Sequence, residues 1–482
     1  MKQLLIIRIL ACSSILMMSC SKKFIDLLPI SSVSVDVVYK TDKDYLDALT
    51  ATYNTLQQQY QNFYIFGDVR GDDSWQSIYK NNSWSFSDAF VISSSDPLMH
   101  STWQNYYQAI FRINTILEKI KDVDVSVVKN KERYIAEAKF LRALSYFDLV
   151  RIFGDVPMII TSLSIEEGYQ KGRENLDNIY AKVIIPDLLA AENGLPLKYS
   201  GNDAGRPTKG AAKAILGRVY LTLKDFQKTE AKLQEVTTIG YSLLPNYNDL
   251  FDYTKNEHHS EYIFDIEYEQ GIGEGSRLTN AFAPNSQPFT SFFGIGGNGD
   301  EQNSPTQVLI NLFDPKDRRK DVTVGVTGGF FNRDSVFIKL PSNTNQTYTK
   351  KYITPVVAAN DSRANWKVIR YADVLLMYAE ALNENGKTND ALGYLNMVRT
   401  RAGLAGYSNT TKEDTRDKIY LERRLELSFE GVRWFDLLRT GQAYAVMQKY
   451  GMLPYMTVFP VPLSQIQLIN NPSIYPQNKG YN

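Results

Sequence analysis

Apolar residues recur along the chain with the 3.6-residue period of helices that bury one face, and irregular stretches separate the periodic runs. Between Tyr39 and Tyr60, Tyr45, Leu46, Leu49, Tyr53 and Leu56 fall on one stripe. Trp103, Tyr107, Ile110, Ile113, Ile116 and Leu117 do the same in the next run. Ile135, Ala138, Leu141, Leu144, Phe147, Leu149 and Val150 mark a long helix that Gly154 ends, with Pro157 behind it as a stop signal. A further helix is predicted over "NLDNIYAKVIIPDLLAAENGLP", with a kink or break at Pro186, whose ring and missing N–H disrupt a helix interior. The stretch "DKIYLERRLELSFEGVRWFDLLRTG" (417–441) reads as one strong helix near the C-terminus.

Two segments read helix, short turn, helix. One spans 207–240 with its turn near Lys224-Asp225, and the other spans 366–401 with its turn at Asn385-Gly386. Ala231 and Ala391 sit early in the second helix of each, where a small residue allows close crossing. Leu216, Gly217 and Tyr220 stand at the spacing of a tetratricopeptide first helix. A third pair is expected from Trp103 to Phe153. The fold class expected is therefore mostly α: tetratricopeptide-like helix pairs forming a scaffold, with long irregular loops and a few short strands. The largest interruption, about 241–361, is rich in Gly, Asn, Ser, Thr and Phe and carries strand-like pieces such as "EYIFDIEY" and "DSVFIKL". A connection this long on a rigid scaffold is where function usually sits.

The first residues carry a different pattern. Leu4–Met18 is apolar except for Arg8, follows Lys2, and stops at Ser19-Cys20, as a secretory signal would. Ser19-Cys20 resembles a lipobox, although Met17 stands where leucine is commonest. Cleavage there would make Cys20 the lipidated first residue. The organisation read is a signal peptide at 1–19, a tether at 20–38 and one domain at 39–482. The two cysteines, Cys12 and Cys20, both precede that domain, which excludes a disulfide framework and a cysteine zinc site from it.

Lys+Arg and Asp+Glu are each 53 in 482 residues, so no basic field exists to draw in nucleic acid. The chain has 31 Tyr, 23 Phe and only 3 His, a balance that favours ring surfaces over imidazole chemistry. "GIGGNGDE" lacks the lysine of a phosphate loop, and His258-His259 lacks helical metal-ligand spacing. Asp72-Asp73 and Asp300-Glu301 are adjacent carboxylates, whereas a glycosidase sets its pair across a cleft. No nucleophile with a base partner stands out, so the protein is read as not an enzyme, with no cofactor and calcium in an Asp/Asn loop as the only metal considered.

Candidate binding residues cluster in "GDDSWQSIYKNNSWSFSD". A sugar binder needs flat rings for the CH face of the sugar and amide or carboxylate groups for its hydroxyls. Trp75, Tyr79 and Trp84 supply rings here, and Asp73 and Asn81 supply rim groups; no helical or strand period accounts for the rings. Trp366, beside Asn365, is a further candidate. Phe282, Phe289, Phe292, Phe293, Phe330, Phe331 and Tyr348 in the interruption are expected mainly to form a local core. Trp103 and Trp434 are read as packing. Arg423, Arg424 and Arg433 are read as ion-pairing with Glu422, Glu426 and Glu430.

Four stretches carry a family likeness: "EAKFLRALSYFDLVRIFGDVPMI" (137–159), "RPTKGAAKAILGRVYLTLKDF" (206–226), "VIRYADVLLMYAEALNENG" with "LNMVRTRAGL" (368–404), and "IYLERRLELSFEGVRWFDLLRTG" (419–441). With the tail "FPVPLSQIQLINNPSIYPQNKGY" they resemble the SusD/RagB family of outer-membrane nutrient-binding lipoproteins. The resemblance implies four tetratricopeptide units and a lipid anchor at Cys20 in the outer membrane, on the cell surface. It also implies a SusC-like TonB-dependent outer-membrane transporter as partner and an oligo- or polysaccharide ligand, with a peptide as the alternative that some members take. A glycan-degrading enzyme and a helical envelope scaffold are the remaining readings.

Overall fold

The computed structural model describes residues 39–76 and 81–482. The lipobox with Cys20, the 20–38 tether and Tyr79 lie outside the described residues. The first helix, α1 (Asp42–Tyr60), begins with a capping box in which Thr41 and Asp44 satisfy each other's backbone N–H groups. It packs on α2 (Pro97–Ile120), α2 on α3 (Lys131–Phe153), and α3 on α4 (Ile185–Gly194). The layer continues through α5 (Lys209–Thr222) and α6 (Phe226–Thr237) to α7 (Tyr371–Glu384) and α8 (Thr388–Arg401). Helix α9 (Lys412–Glu426) closes it against α7 and α8. The two helix pairs read from the sequence are thus α5–α6 and α7–α8, and α6 packs directly on α7 although more than 130 residues separate them. This is the expected fold class, a stacked helical layer with the interruption looped out of it.

Close crossing explains the small residues. A Cβ on Gly217 of α5 would lie 2.2 Å from Leu233 Cδ2 of α6, so only glycine lets those helices meet at this distance. Ala391 at the start of α8 is fully buried, as its spacing predicts.

The interruption expected at Pro186 takes the form of a wide π-helical turn, Tyr180–Ile184, between the short helix Leu176–Ile179 and α4, which carries Pro186 in its first turn. The widened turn accommodates the proline, whose missing N–H falls where a helix start leaves that donor unpaired. The single helix read over 417–441 is corrected to two, α9 and α10 (Arg433–Arg439). Phe429 (φ 64°) and Gly431 (φ 72°) turn left-handed between them. The break lets the Gly431 N–H donate to Asp68 Oδ1 at 2.9 Å. The apolar period runs across this break, which is why it is hard to see.

The described strands are short and paired. β1 (Ser74–Trp75) joins β3 (Ser304–Pro305), β2 (Tyr262–Ile266) joins β6 (Trp366–Arg370), and β4 (Gly329–Phe331) forms a hairpin with β5 (Phe337–Lys339). All three pairs are antiparallel. The β2–β6 ladder draws the two ends of the interruption together, with Tyr262 opposite Arg370 and Ile266 opposite Trp366. The interruption has its own apolar centre, in which Phe289, Phe330, Tyr348 and Val356 are buried and Phe292 and Phe293 pack at the edge. Phe282 belongs instead to the main core, edge-on to Tyr64 at 4.9 Å. Among the described residues no helix is long and apolar enough to cross a membrane.

Candidate functional site

The segment carrying Trp75 is anchored by charge. Arg424 of α9 donates to Asp73 Oδ1 at 2.7 Å and to Asp72 Oδ2 at 2.8 Å, and Arg433 of α10 donates to Asp72 Oδ1 at 2.8 Å. Burial works against ionisation of Asp72, and the Arg433 and Arg424 guanidiniums more than offset it, holding Asp72 below the usual carboxylate range. Asp73, deeper in, is raised by burial. The expectation that Asp73 lines a binding rim is therefore corrected: it is buried and ion-paired to Arg424 through Oδ1, which holds the strand that presents Trp75. These pairs also take both adjacent carboxylates out of play as a free acid–base couple.

One residue further on, the backbone is fixed from both sides. Trp75 sits opposite Ser304 in the β1–β3 pair. The Gln76 N–H donates to Asp88 Oδ2 at 2.8 Å, and its side-chain amide donates to the Glu301 carbonyl at 2.7 Å. Asn345 donates to the same carbonyl at 2.9 Å and to Ser304 Oγ at 3.0 Å. The strand cannot shift without breaking this set, yet Trp75 is 37% exposed. An exposed indole on an immobilised strand costs little conformational entropy when it meets a ligand.

Trp84 stands on the short helix Ser83–Asp88, whose cap is Asn82: its Oδ1 accepts the Ser85 N–H at 3.0 Å. The ring is half-buried, and the Arg277 guanidinium lies 5.4 Å from its centroid. Arg277 also donates to Asn62 Oδ1 at 3.1 Å and to Asp300 Oδ2 at 3.3 Å. Residues 300–305 are thus a shared wall: Ser304 pairs with Trp75, Glu301 holds Gln76, and Asp300 meets the arginine over Trp84. Asn81, exposed and left-handed at φ 49°, lies at the start of this helix. Trp75 and Trp84 thus both reach the 300–304 segment, Trp75 through Ser304 and Trp84 through Arg277 and Asp300. Arg277 and Asp300 escaped the sequence reading because 200 residues separate them from the tryptophans; the only local hint was the acidic pair Asp300-Glu301.

Trp366 has a different setting. It is 1% exposed, stacks on Tyr352 with centroids 5.7 Å apart at 8°, and meets Phe63 edge-on at 6.0 Å. Its β6 strand lies under the interruption, so the expected ligand contact is corrected to packing. Phe331, expected mainly in the local core of the interruption, instead faces solvent beside Phe337. Phe331 (54% exposed) and Phe337 (43% exposed) are cross-strand partners on the β4–β5 hairpin, 5.4 Å apart. Two phenylalanines bracketing "NRDSV" were the available signal.

The interruption is seated by buried charge. Arg370 of β6 pairs with Glu261, Glu426 and Glu430 at 2.8, 2.5 and 2.7 Å. Arg319 pairs with Asp317, Glu422 and Glu426, and Lys351 with Glu430 at 2.7 Å. Burial lowers Lys351 to about 8, whereas Arg401, Arg370 and Arg319 together hold Glu426 far below the usual range despite its burial. The expected pairing of Arg423, Arg424 and Arg433 with Glu422, Glu426 and Glu430 is corrected: those glutamates pair with Arg319, Arg370, Arg399, Arg401 and Lys351, whereas Arg423 pairs with Asp373 and Asp436, and Arg424 and Arg433 with Asp72 and Asp73, because the helix turns each set toward a different neighbour. His258 pairs with Glu267 at 2.7 Å, and burial lowers His259 to about 3. Among the described residues no group of three or more His, Cys, Asp or Glu is placed to hold a metal ion.

Comparison with known proteins places this architecture. Residues 248–473 match the family described as "SusD family", and residues 23–221 match "Starch-binding associating with outer membrane". The chain is 27% identical to "SusD-like protein P25" of Formosa agariphila, over 96% of this chain and 97% of that one. Among solved structures it is similar to a "Laminarin binding SusD-like protein", at 28% identity and a TM-score of 0.78, covering 92% of this chain and 100% of the other. It is likewise similar to "Surface glycan-binding protein A" from Bacteroides uniformis, at 27% identity and a TM-score of 0.76, covering 91% and 99%. The two family matches together take in most of the sequence and both halves of the helical layer, and the chain belongs to the SusD/RagB family.

Proposed function

We propose that the protein captures an oligosaccharide on the Trp75–Trp84 face and passes it to a SusC-like TonB-dependent transporter in the outer membrane. In this reading Cys20 carries the lipid that keeps the protein at the cell surface. The observation that carries the binding role is the exposed Trp75 indole on a strand held by Arg424, Arg433 and Ser304. A rigid, solvent-facing ring next to hydrogen-bonding groups suits the apolar face and the hydroxyl rim of a sugar. The laminarin-binding and glycan-binding relatives support the ligand class. No bond-breaking step is assigned to this face: binding alone is its work.

The test is calorimetry against a panel of oligosaccharides that includes laminarin fragments. Binding of at least one glycan is expected, weakened by Trp75→Ala. A chain that binds no glycan of the panel would overturn the reading. Co-purification from detergent-solubilised outer membranes with a TonB-dependent barrel tests the delivery step, and its absence would remove that step alone.

A further inference from the structure

Two short helices hold apolar side chains over open space. Neither Ile165–Gln170 nor Leu463–Ile469 has a buried residue, and the two lie against each other. Beside them runs a groove of ≈ 340 Å³ lined by the rings of Trp103, Tyr107 and Tyr475 and by Ile165, Tyr169 and Leu468. Ile165 is 81% exposed and Leu468 53% exposed. Gly168 also lines the groove, and a Cβ there would touch nothing. Single exposed apolar residues need no explanation, but a groove that gathers this many marks a place where something binds.

The chain itself supplies a segment of matching chemistry. Phe24, Ile25, Leu27, Leu28 and Ile30 are apolar and closely spaced, and they precede the first described residue, Tyr39. Lys22 and Lys23 stand before them and Asp26 among them; the first groove helix carries Glu166 and Glu167 in solvent, and Lys171 lines the groove. The match to "Starch-binding associating with outer membrane" opens at residue 23, so the family counts this segment within its domain. The path between the two is short. Tyr39 stands against Tyr45, with ring centroids 5.3 Å apart, and the Tyr45 hydroxyl donates to the Lys119 carbonyl of α2 at 3.0 Å. Next to it on α2, Glu118 accepts the Ser162 hydroxyl at 2.7 Å, just ahead of Ile165. The entry of the chain and the groove thus border the same helix. From Lys119 back to Trp103 α2 covers about 24 Å at 1.5 Å per residue. The stretch from Tyr39 back to Ile30 spans up to about 30 Å when extended.

We propose that this groove is the seat of the chain's own segment Phe24–Ile30. Its apolar side chains cover the rings and the two helices, and its lysines and aspartate meet charges of opposite sign at the rim. The proposal is independent of the glycan reading. Its consequence rests on the reading that Cys20 carries lipid: with Phe24 seated, only Ser21, Lys22 and Lys23 separate that lipid from the groove. This side of the helical layer is then held within about 13 Å of the anchor, so the segment orients the protein on the membrane as well as tethering it.

Cross-linking in the full chain tests this. Cys12→Ser and Cys20→Ser remove both native thiols, so every remaining thiol is an introduced one. Leu28→Cys is paired either with Leu468→Cys at the groove or with Val125→Cys, 61% exposed on the loop between α2 and α3. That loop adjoins the entry of the chain, because the Asn130 N–H donates to Asp42 Oδ1 at 3.1 Å. A segment with no seat in the groove would meet Val125 at least as often as Leu468. A short bismaleimide is expected to join Leu28→Cys to Leu468→Cys within one chain about ten times faster than to Val125→Cys, since seating raises the local concentration of one thiol pair. Ile165→Asp changes a solvent-facing side chain, so the fold survives, and it should abolish most of that preference by placing a charge on the apolar rim. Equal rates for the two pairs, no link to Leu468→Cys, or a preference that Ile165→Asp leaves intact would each overturn the proposal. A link formed between two chains in place of one within a chain would also overturn it, by making a second copy the occupant.

Discussion

Where α6 meets α7 the contact is made of apolar side chains: Leu233 and Val236 are buried on one side, and Val374 and Leu375 on the other. Where the interruption meets the same layer, the contact is made of charge: Arg319, Lys351 and Arg370 reach Glu422, Glu426 and Glu430 with almost no solvent access. Apolar packing is non-directional and tolerates substitutions that conserve volume. Buried ion pairs are directional, and each charge left over is expensive. The difference suits the division of labour. The helical layer needs only to stack, whereas the wall at 300–305 must sit against Trp75 in one register.

The first break of this contrast is Arg370→Leu. It removes one cation from three buried carboxylates and leaves Arg401 to Glu261, Arg319 and Arg401 to Glu426, and Lys351 to Glu430, so a loss of about 3–5 kcal/mol is expected from the midpoint of urea unfolding. Limited proteolysis should then open the 241–361 region first. A loss below about 1 kcal/mol would mean that charge does not seat the interruption.

Gly217→Ala tests the other side. Its Cβ meets Leu233 inside a fully packed crossing, and overpacking of this kind costs about 1–3 kcal/mol. The expected pattern is a lower melting temperature with the proteolysis of the interruption unchanged. Cleavage of the interruption as in Arg370→Leu would show that the two regions unfold as one.

The carboxyls separate the regions by pH. Burial raises Asp88 to about 7 and Asp68 to about 8, both near the Trp75 strand. For these groups the folded state holds a proton that the unfolded state releases, so their stabilisation is present below the unfolded value of 3.8 and is lost as pH rises through 7 to 8. Asp436, in the scaffold, behaves oppositely: Arg423 and Arg439 outweigh its burial and lower it to about 2. Its stabilisation is present above 3.8 and is lost as pH falls through 2. Stability is expected to peak at about pH 4–5 and to decline on both sides. Asp88→Asn, which keeps an acceptor for the Gln76 N–H, should reduce the decline toward neutral pH by roughly 1–2 kcal/mol. Urea midpoints between pH 4 and 8 that are equally steep in wild type and variant would contradict the assignment.

The same contrast explains what could be read in advance. Helix pairs are legible because burial of one face writes a local period into the sequence, and Gly217 and Ala391 mark their crossings. The site is not local. Trp75 and Trp366 both sit beside polar residues, but one lies opposite Ser304 at a surface and the other lies beneath Tyr352. Asp73 looks like a sugar ligand until Arg424, 351 residues away, is placed on it. The split between α9 and α10 was hidden because Phe429 keeps the apolar period while turning left-handed.

The smallest effect on stability is expected at Trp75, and that is what makes it informative. More than a third of its surface already faces water, so Trp75→Ala removes little packing. The β1–β3 pair, the Asp72 and Asp73 ion pairs and the Gln76 contacts do not pass through the ring. Unfolding midpoints should therefore stay within about 0.5 kcal/mol of wild type, as for surface substitutions. Affinity for the captured glycan should nevertheless fall about tenfold, because a stacked ring contributes on the order of 1 kcal/mol beyond the area it buries. The two measurements move independently only if the ring is held for a ligand rather than for the fold. A stability loss above about 2 kcal/mol with affinity unchanged would place Trp75 with Trp366, as packing, and would shift the search for the ligand face to the Phe331–Phe337 hairpin.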